Sequence, residues 1–304
     1  MSLKQIDFRN FKIFSSYETK KKYAGYWFIL PWIIGVISFF FIPMVQAVFY
    51  IFNNIEIGEK VSFQYAGNKN LIAVFLEDPE SIRLIATSLW TTLAESFLIV
   101  TVSLFIAILL NQSFVGRAMS RTIFAIPIIV SSGILMAVFK EDLFVSSVAQ
   151  SGDNSIFQTA TLQMALGNLN IDPRIIAQLS SMVGQILDII WKSGVEIFLF
   201  LGGLQSIPKQ LYEVSNVEGA TGWQIFWKVT FPLVSPFVLL NAVYSIIDSF
   251  TYYLNPVMQK VSKYFTEIHY SYSTTLAVVY FVFVLLLIGV VSLAISRRVV
   301  NIER

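Results

Sequence analysis

The sequence predicts an all-α membrane protein with six transmembrane helices. Of its 304 residues, 56% are hydrophobic and 13% are charged, and the mean hydropathy is +0.68. Soluble domains carry about 25% charged residues, so half of that fraction is too little to cover a globule of this size in water. The apolar residues are grouped in runs of about 20, the length that a helix needs to cross a bilayer.

The six runs are predicted to be helices, because backbone polar groups in lipid have to be satisfied within the segment itself. The first run is uncharged and too long for a signal peptide, so we expect it to be retained. Charges lie within the second run (Glu95), the fourth run (Asp188, Lys192 and Glu196) and the fifth run (Asp248). The predicted spans are residues 26–52, 84–111, 122–139, 180–204, 229–254 and 274–296.

Basic residues predict that both termini are cytoplasmic, because Lys and Arg stay on that side of the membrane near helix ends. The side that holds both termini collects 13 of the 21 basic residues, while seven lie opposite and one lies within a span. The predicted organisation is a cytoplasmic segment at 1–25, a transmembrane domain at 26–296 and a cytoplasmic tail at 297–304. Within the domain, a polar external lobe is expected at 140–179 and a longer cytoplasmic loop at 205–228.

The N-terminal segment places Phe8, Phe11 and Phe14 at helical spacing among basic side chains. This pattern is typical of an interfacial helix on the inner leaflet. It also fits a charge cluster that only sets the topology, with incidental aromatic residues. Both interpretations place this segment at the cytoplasmic surface.

Composition excludes several kinds of functional site. Cysteine is absent and His269 is the one histidine, which excludes disulfides, thiolate chemistry and a multi-histidine metal site. A net charge of +2 is too small to indicate a nucleic-acid partner, and no basic stripe with interleaved aromatic residues is present, so we expect none. No Gly-x-x-x-x-Gly-Lys-Ser/Thr phosphate loop occurs, so we expect ATP to bind on another chain. We expect no cofactor on this chain.

The cytoplasmic loop at 205–228 is predicted to form two short amphipathic helices joined by a turn. Pro208 suits the first turn of a helix, where its missing N–H is not needed, and Gly219 can supply a left-handed or tight turn. A helix–turn–helix on the cytoplasmic surface offers apolar side chains to a groove on a partner protein. Those side chains are Leu211, Val214, Val217, Trp223, Phe226 and Trp227.

The loop resembles the EAA loop of ABC importer permeases. That signature is Glu-Ala-Ala, three residues, Gly, nine residues, Ile, one residue and Leu-Pro. Glu213, Gly219 and Pro232 lie at the signature spacings. The departures, all small to medium or apolar, are Val214 and Ser215 for the two alanines, Val229 for Ile and Phe231 for Leu.

The wider resemblance is to the maltose-permease-like membrane subunits of sugar ABC importers, and it covers nearly the whole chain. The strongest match runs from Gly203 to Ala220. One departure lies beyond span five, where the family usually has Gly-Gly-Pro and this chain reads Tyr252-Tyr253-Leu254-Asn255-Pro256. Further matching stretches are 24–31, 42–43, 67–79 and 114–127.

The resemblance implies the type I ABC importer permease fold and a non-enzymatic role in the plasma membrane of a prokaryote. The chain would form half of a translocation path for a sugar or oligosaccharide. The implied partners are a second homologous permease, two ATPase subunits or a homodimeric ATPase that binds ATP and Mg, an extracytoplasmic sugar-binding protein, and membrane lipid. The residues implied in coupling to the ATPase are Tyr212, Glu213, Ser215, Glu218, Gly219, Ala220, Trp223, Phe226 and Pro232.

Alternating access would require the loop 209–227 to act as a rigid lever between the ATPase and the spans. Glu213 would anchor the first short helix, and Gly219 would set the bend. We therefore expect Gly219→Asp to uncouple transport while leaving membrane insertion intact.

Two sets of polar residues within the spans are candidates for the substrate path. Asp188, Lys192 and Glu196 are four apart and stack on one helix face, where they either pair with each other or contact the sugar. Trp191 either stacks on a sugar ring or anchors its helix at the interface, and Glu95 is expected to make an interhelical hydrogen bond. The second set shares a face of span five and suits either sugar hydroxyl groups or a polar seam between subunits. It consists of Asn241, Tyr244, Asp248 and Tyr252.

Two rival functions remain open at this point. The same machinery could carry glycerol phosphate or a polyamine, although a phosphate would favour basic residues in the path and Lys192 is the one candidate. The other rival is a secondary transporter driven by an ion gradient. Such transporters often show two related halves, and this sequence has no duplicated half.

Overall fold

The computed structural model describes residues 17–57, 61–131, 172–252, 255–297 and 299. The predicted interfacial helix of the N-terminal segment and most of the predicted external lobe lie outside these residues. The chain divides into two compact units. The first unit comprises residues 1–78 with 264–278, and the second comprises residues 79–263 with 279–304.

The first unit begins with a long apolar helix. α1 (Tyr17–Val36) is followed directly by a π-helical turn (Ile37–Phe41) and then by α2 (Ile42–Ile51). Phe28 and Phe39 are each 86% exposed. Large apolar side chains this exposed are expected of a helix whose solvent is lipid.

An antiparallel β-hairpin follows α2, and the sequence analysis did not predict it. Strands β1 (Asn53–Ile57) and β2 (Val61–Tyr65) pair with Ile55 opposite Phe63. The ring of Phe63 stacks on that of Tyr50, with 5.8 Å between the ring centroids. Apolar and polar residues alternate in both strands, which is the signal of a half-buried strand. Each strand is only five residues long and lies close to a strongly apolar span, so this alternation does not stand out in the sequence.

The described part of the first unit continues with α3 (Lys69–Ile72) and a second π-helical turn (Ala73–Glu77). Asn70 on α3 is buried, and its side-chain amide donates to the carbonyl oxygen of Ile51 at 2.9 Å. This bond satisfies a carbonyl group at the end of α2, where helical partners run out.

The second unit contains the other helices of the described chain, of which the last two are shared with the first unit. In chain order the helices are α4 (Pro79–Asn111), α5 (Arg117–Ser131), α6 (Pro173–Lys192), α7 (Gly194–Gln205), α8 (Lys209–Val217), α9 (Gly222–Ile225), α10 (Phe231–Thr251), α11 (Pro256–Thr266) and α12 (Tyr270–Ser296). A third π-helical turn (Phe226–Thr230) joins α9 to α10.

Four helical stretches in the described chain are long and apolar enough to cross a membrane, which confirms the predicted all-α membrane class. They correspond to predicted spans one, two, five and six. Predicted span four is built from α6 and α7, which meet at Ser193, and α5 covers the described start of span three. The four stretches are Phe28–Ile51, Pro79–Asn111, a stretch that contains α10 within Gly222–Thr266, and Tyr270–Ser296.

The core of the second unit lies where α4, α7 and α10 pack against one another. At Gly203, α7 is so close to α10 that an added Cβ would lie 2.6 Å from the ring of Phe237. Glycine is therefore required for this helix–helix approach. The buried core side chains are Ala107, Leu110, Ile197, Phe200, Leu201, Leu204, Ile207 and Val234.

Replacing Gly203 by alanine is expected to destabilise the second unit by about 1–3 kcal/mol, because the new methyl group displaces the Phe237 ring. Gly202→Ala is the matched control, since an added Cβ there meets nothing within 4 Å. That control should keep its stability or gain up to about 1 kcal/mol from helix propensity. Thermal unfolding in detergent, followed by tryptophan fluorescence, measures both variants. Equal melting temperatures would contradict this packing.

Candidate functional site

The loop at 205–228 folds as the predicted helix–turn–helix. α8 begins directly after Pro208, and none of its nine residues is fully buried. Leu211, Val214 and Val217 are 41%, 56% and 89% exposed. Clustered apolar side chains with this exposure, on a helix outside the predicted spans, are typical of a protein-contact surface.

Gly219 makes the turn between α8 and α9, as predicted. Its φ is +77°, in the left-handed region that favours glycine. The N–H of Gly219 donates to the carbonyl oxygen of Asn216, and the N–H of Ala220 donates to that of Ser215, each at 3.0 Å. These two bonds satisfy carbonyl groups at the C-terminus of α8 and fix the direction in which the chain leaves it.

α9 is held by a capping box at its N-terminus. The hydroxyl group of Thr221 accepts from the N–H of Gln224 at 3.4 Å, and the side-chain oxygen of Gln224 accepts from the N–H of Thr221 at 2.9 Å. A four-residue helix is too short to be stable alone. The reciprocal cap therefore supplies local order that the helix cannot supply itself.

A row of aromatic rings connects α9 with the start of α10. The ring centroids are 5.5 Å apart for Trp223 and Trp227, and 5.2 Å apart for Trp227 and Phe231. Phe226 lies beside the row, 5.0 Å from Trp227. Trp223 is 72% exposed, whereas Phe226 is half-buried. Trp223 is thus the most accessible of the three predicted apolar contacts on this segment, since Trp227 is 47% exposed.

Tyr212 faces the interior of the second unit. Its ring packs against the core described above, and its hydroxyl oxygen is 3.2 Å from Oγ1 of Thr230. Glu213 and Glu218 are exposed. Pro232 lies in the first turn of α10, where a missing N–H is tolerated.

A cluster of charged side chains links α4, α6 and α10. Lys192 Nζ is 3.1 Å from Glu95 Oε2 and 4.6 Å from the ring centroid of Tyr252. Asp248 is near enough for its charge to interact with that of Lys192. Among the described residues, no group of three or more His, Asp or Glu side chains is placed to hold a metal ion.

The ion pair of Lys192 differs from the pairing expected on its own helix. Lys192 is the last residue of α6, and the junction at Ser193 places Glu196 on the separate helix α7. The ammonium group reaches across to α4 instead, where Glu95 has the interhelical partner that was expected for it.

Burial divides the predicted substrate-path residues into two groups. Asn241 and Glu196 are enclosed, with exposed fractions of 0% and 1%. Neither amide atom of the Asn241 side chain has a hydrogen-bond partner in the described part of the chain. The half-buried group can be touched by a substrate or a second subunit at the surface of this chain. It consists of Asp188, Trp191, Tyr244, Asp248 and Tyr252.

Asn255 forms a buried hydrogen-bond hub just beyond α10, and the sequence analysis did not identify it. Its side-chain amide donates to the hydroxyl oxygen of Tyr280 at 2.9 Å and to the carbonyl oxygen of Ser249 at 3.0 Å. Its side-chain oxygen accepts from the N–H of Val257 at 3.0 Å, and Tyr280 also bonds Ser88 at 2.8 Å. The sequence feature that could have pointed to Asn255 is the departure from the family's usual Gly-Gly-Pro beyond span five.

Residues 99–304 match the family described as binding-protein-dependent transport system inner membrane component. The arabinooligosaccharides transport system permease protein AraP of Bacillus subtilis is 30% identical to the chain over 238 residues, which cover 76% of this chain and 70% of AraP. The multiple sugar-binding transport system permease protein MsmF of Streptococcus mutans is 28% identical, over 71% of this chain and 70% of MsmF.

A solved structure shares the fold. One chain of a bacterial ABC transporter involved in the import of the acidic polysaccharide alginate aligns with a TM-score of 0.63. The alignment covers 94% of this chain and 98% of the other, at 17% sequence identity. The expected ABC importer permease fold is thereby confirmed.

Proposed function

The chain belongs to the family of binding-protein-dependent transport system inner membrane components, and on this basis we propose that it is a permease subunit of an ATP-driven sugar or oligosaccharide importer. The observation that carries the proposal is the α8–Gly219–α9 loop, which holds exposed apolar side chains outside the spans in a defined geometry. The names of AraP and MsmF, which refer to arabinooligosaccharides and to multiple sugars, support a sugar as the cargo class.

In the proposed assembly this chain is a non-catalytic half of the translocation path. Two ATPase subunits, or a homodimeric ATPase, would bind ATP and Mg and dock on the loop at 205–228. A second homologous permease would complete the path, and an extracytoplasmic binding protein would deliver the sugar. Both termini would lie in the cytoplasm of a prokaryote, in agreement with the distribution of basic residues.

The coupling loop would transmit closure of the ATPase pair to the spans. The turn at Gly219 and the cap of α9 hold the two short helices in one geometry, so a force on either helix is carried by both. The exposed Glu213 would pair with a basic group on the ATPase, and Trp223 would fill an apolar groove. Movement of this lever would rock the spans between inward and outward access.

The charges of the predicted path favour a neutral sugar over glycerol phosphate. Lys192 is neutralised by Glu95 at 3.1 Å, and Asp248 adds a second carboxylate nearby. A phosphate would therefore meet two carboxylates for one ammonium group. A sugar hydroxyl group can instead donate to Asp248, while the ring of Tyr252 offers an apolar face for weak stacking.

Replacing Asp248 by asparagine is expected to raise the KM of sugar uptake about three- to tenfold, because a charged hydrogen-bond acceptor becomes a neutral one of the same size. The maximal rate should change little. Uptake of radiolabelled arabino-oligosaccharides by cells that contain the complete transporter measures both quantities. Glu267→Gln, at an exposed acid in the other unit, is the control and should keep the wild-type KM. An unchanged KM for Asp248→Asn would remove this residue from the path.

The energy source separates the proposal from a secondary transporter. Proteoliposomes that contain the purified complex, with ATP inside and the loaded binding protein outside, should take up sugar only when ATP is present. An ionophore that collapses the ion gradients should leave the rate unchanged. Uptake that continues without ATP and stops with the ionophore would show that an ion gradient drives transport.

A further inference from the structure

A lever can drive the spans only if it is fastened to them. We propose that Tyr212 is a positioning residue that fastens α8 to the start of α10 through a hydrogen bond to Thr230. This inference rests on the proposed function, because it names the connection through which the coupling loop acts. It assigns Tyr212 to the interior side of the lever rather than to the ATPase contact.

The two faces of α8 have different surroundings. Leu211 and Val214, on either side of Tyr212 in sequence, are exposed. Tyr212 packs against the core cluster that contains Leu110 and Leu204. An aromatic ring on this core holds α8 near the spans, but apolar packing is not directional and permits sliding.

The hydroxyl group of Tyr212 adds the directional component. Its oxygen is 3.2 Å from Oγ1 of Thr230, and Thr230 is only 8% exposed. A hydrogen bond away from water is stronger than one in solvent, and its loss leaves a polar group without a partner. Any displacement of α8 therefore acts directly on Thr230.

Thr230 occupies a joint in the chain. It is the last residue of the π-helical turn Phe226–Thr230, in which the N–H of Phe231 donates to the carbonyl oxygen of Phe226. Single π-turns within α-helices occur frequently at functional sites. A cavity of about 210 Å³ borders this joint, and its lining includes Tyr212, Thr230 and Ile225. Side chains thus have room to rearrange at the point where the lever meets α10.

Two connections lead from the lever to α10. The aromatic row begins at Trp223 in α9, continues through Trp227 in the π-helical turn and ends at Phe231 in α10. The bond from Tyr212 to Thr230 joins α8 to the same point from the other side of the turn at Gly219. Removing the hydroxyl group keeps the ring packing and the aromatic row, so the fold persists while the second connection is lost.

The test measures movement of α10 in the complete complex, purified with its native partners. The chain has no cysteine, so one cysteine introduced at Thr251, exposed at the far end of α10, can carry a fluorophore in a complex whose partners have been freed of cysteine. The fluorescence change on adding MgATP and vanadate reports how far the conformational equilibrium shifts. Tyr212→Phe and Thr230→Val are each expected to lower that equilibrium constant about two- to tenfold, the range expected for one lost hydrogen bond.

The double variant Tyr212→Phe/Thr230→Val should be no worse than either single variant, because both changes break the same bond. Ser206→Ala is the matched control. Its hydroxyl group donates to the carbonyl oxygen of Gly203 at 2.7 Å within the preceding helix, so its loss should leave the movement unchanged. The melting temperature of each complex is measured alongside, because a merely stabilising role would lower the melting temperature and leave the fluorescence change on adding MgATP and vanadate unaltered.

Additive losses in the double variant, or full movement in both single variants, would overturn the role of Tyr212 while leaving the proposed function intact. A wild-type complex that shows no response to MgATP would instead contradict the proposed function itself. The two failures are therefore distinguishable in one series of samples.

Discussion

Gly219→Val is expected to lower ATP-driven sugar uptake by the complex about tenfold or more, while the chain still inserts in the membrane. Gly219 has a φ of +77°, which a β-branched residue adopts only at a cost of about 1–3 kcal/mol. The turn will relax to negative φ instead and change the angle between α8 and α9. Both helices lie outside the predicted spans, so insertion does not depend on them.

Asparagine at 219 is the matched control, because Asn adopts positive φ far more readily than Val. The space around an added Cβ is open, with nothing within 4 Å, so backbone strain is the only difference that the fold imposes. Uptake should therefore rank as glycine, then asparagine, then valine. Gly219→Asp, expected from the sequence to uncouple, combines mild strain with a new negative charge on the proposed docking surface. Full uptake in the valine variant would rule out the lever.

Lys192→Met is the second change with a large expected effect. It leaves Glu95 without its ion-pair partner and Asp248 without the nearby positive charge of Lys192, and uncompensated charge within a membrane is costly. Breaking a buried ion pair lowers the free energy of unfolding by about 3–5 kcal/mol. Because the Glu95 side chain is 44% exposed, we expect a smaller loss of about 2 kcal/mol for Lys192→Met. A lower melting temperature and a strongly reduced yield of folded protein should follow.

Two further variants test this explanation. Adding Glu95→Gln to Lys192→Met should recover part of the lost stability, because it removes one of the stranded charges. Lys260→Met removes a lysine whose partner Glu80, at 3.2 Å, has a side chain that is 80% exposed. Loss of that solvent-exposed ion pair should cost no more than about 1 kcal/mol. Equal destabilisation by Lys192→Met and Lys260→Met would show that the intramembrane ion pair stabilises the fold no more than the solvent-exposed one.

The class of the protein could be predicted because it depends on properties of single segments. A run of about 20 apolar residues is recognisable without knowledge of its neighbours. The turn at Gly219 could be predicted for the same reason, since glycine between two amphipathic segments favours a positive φ at that residue. The resemblance of the loop to a known signature added the family, which the match over residues 99–304 confirmed.

Features that depend on packing between distant segments could not be predicted. Lys192 and Glu95 are 97 residues apart in the chain, and no local pattern pairs them. Helical spacing placed Asn241 and Asp248 on one face of span five. Spacing gives the direction of a side chain and not how deeply it is buried, and the structure shows Asn241 fully buried and Asp248 half-buried. The π-helical turn that ends at Thr230 leaves no mark in a helical hydrophobic pattern. Roles in coupling and in the substrate path remain predictions.

The most direct test of the central claim is to isolate the tagged chain from its native membranes in mild detergent and identify what accompanies it by mass spectrometry. We expect a second multi-span permease and an ATPase with a phosphate loop, and less of the ATPase in the Gly219→Val variant, because that substitution changes the loop on which the ATPase would dock. Recovery of the chain alone, or only with copies of itself, from a preparation in which other membrane complexes stay intact would contradict a role as one subunit of an ATP-driven importer.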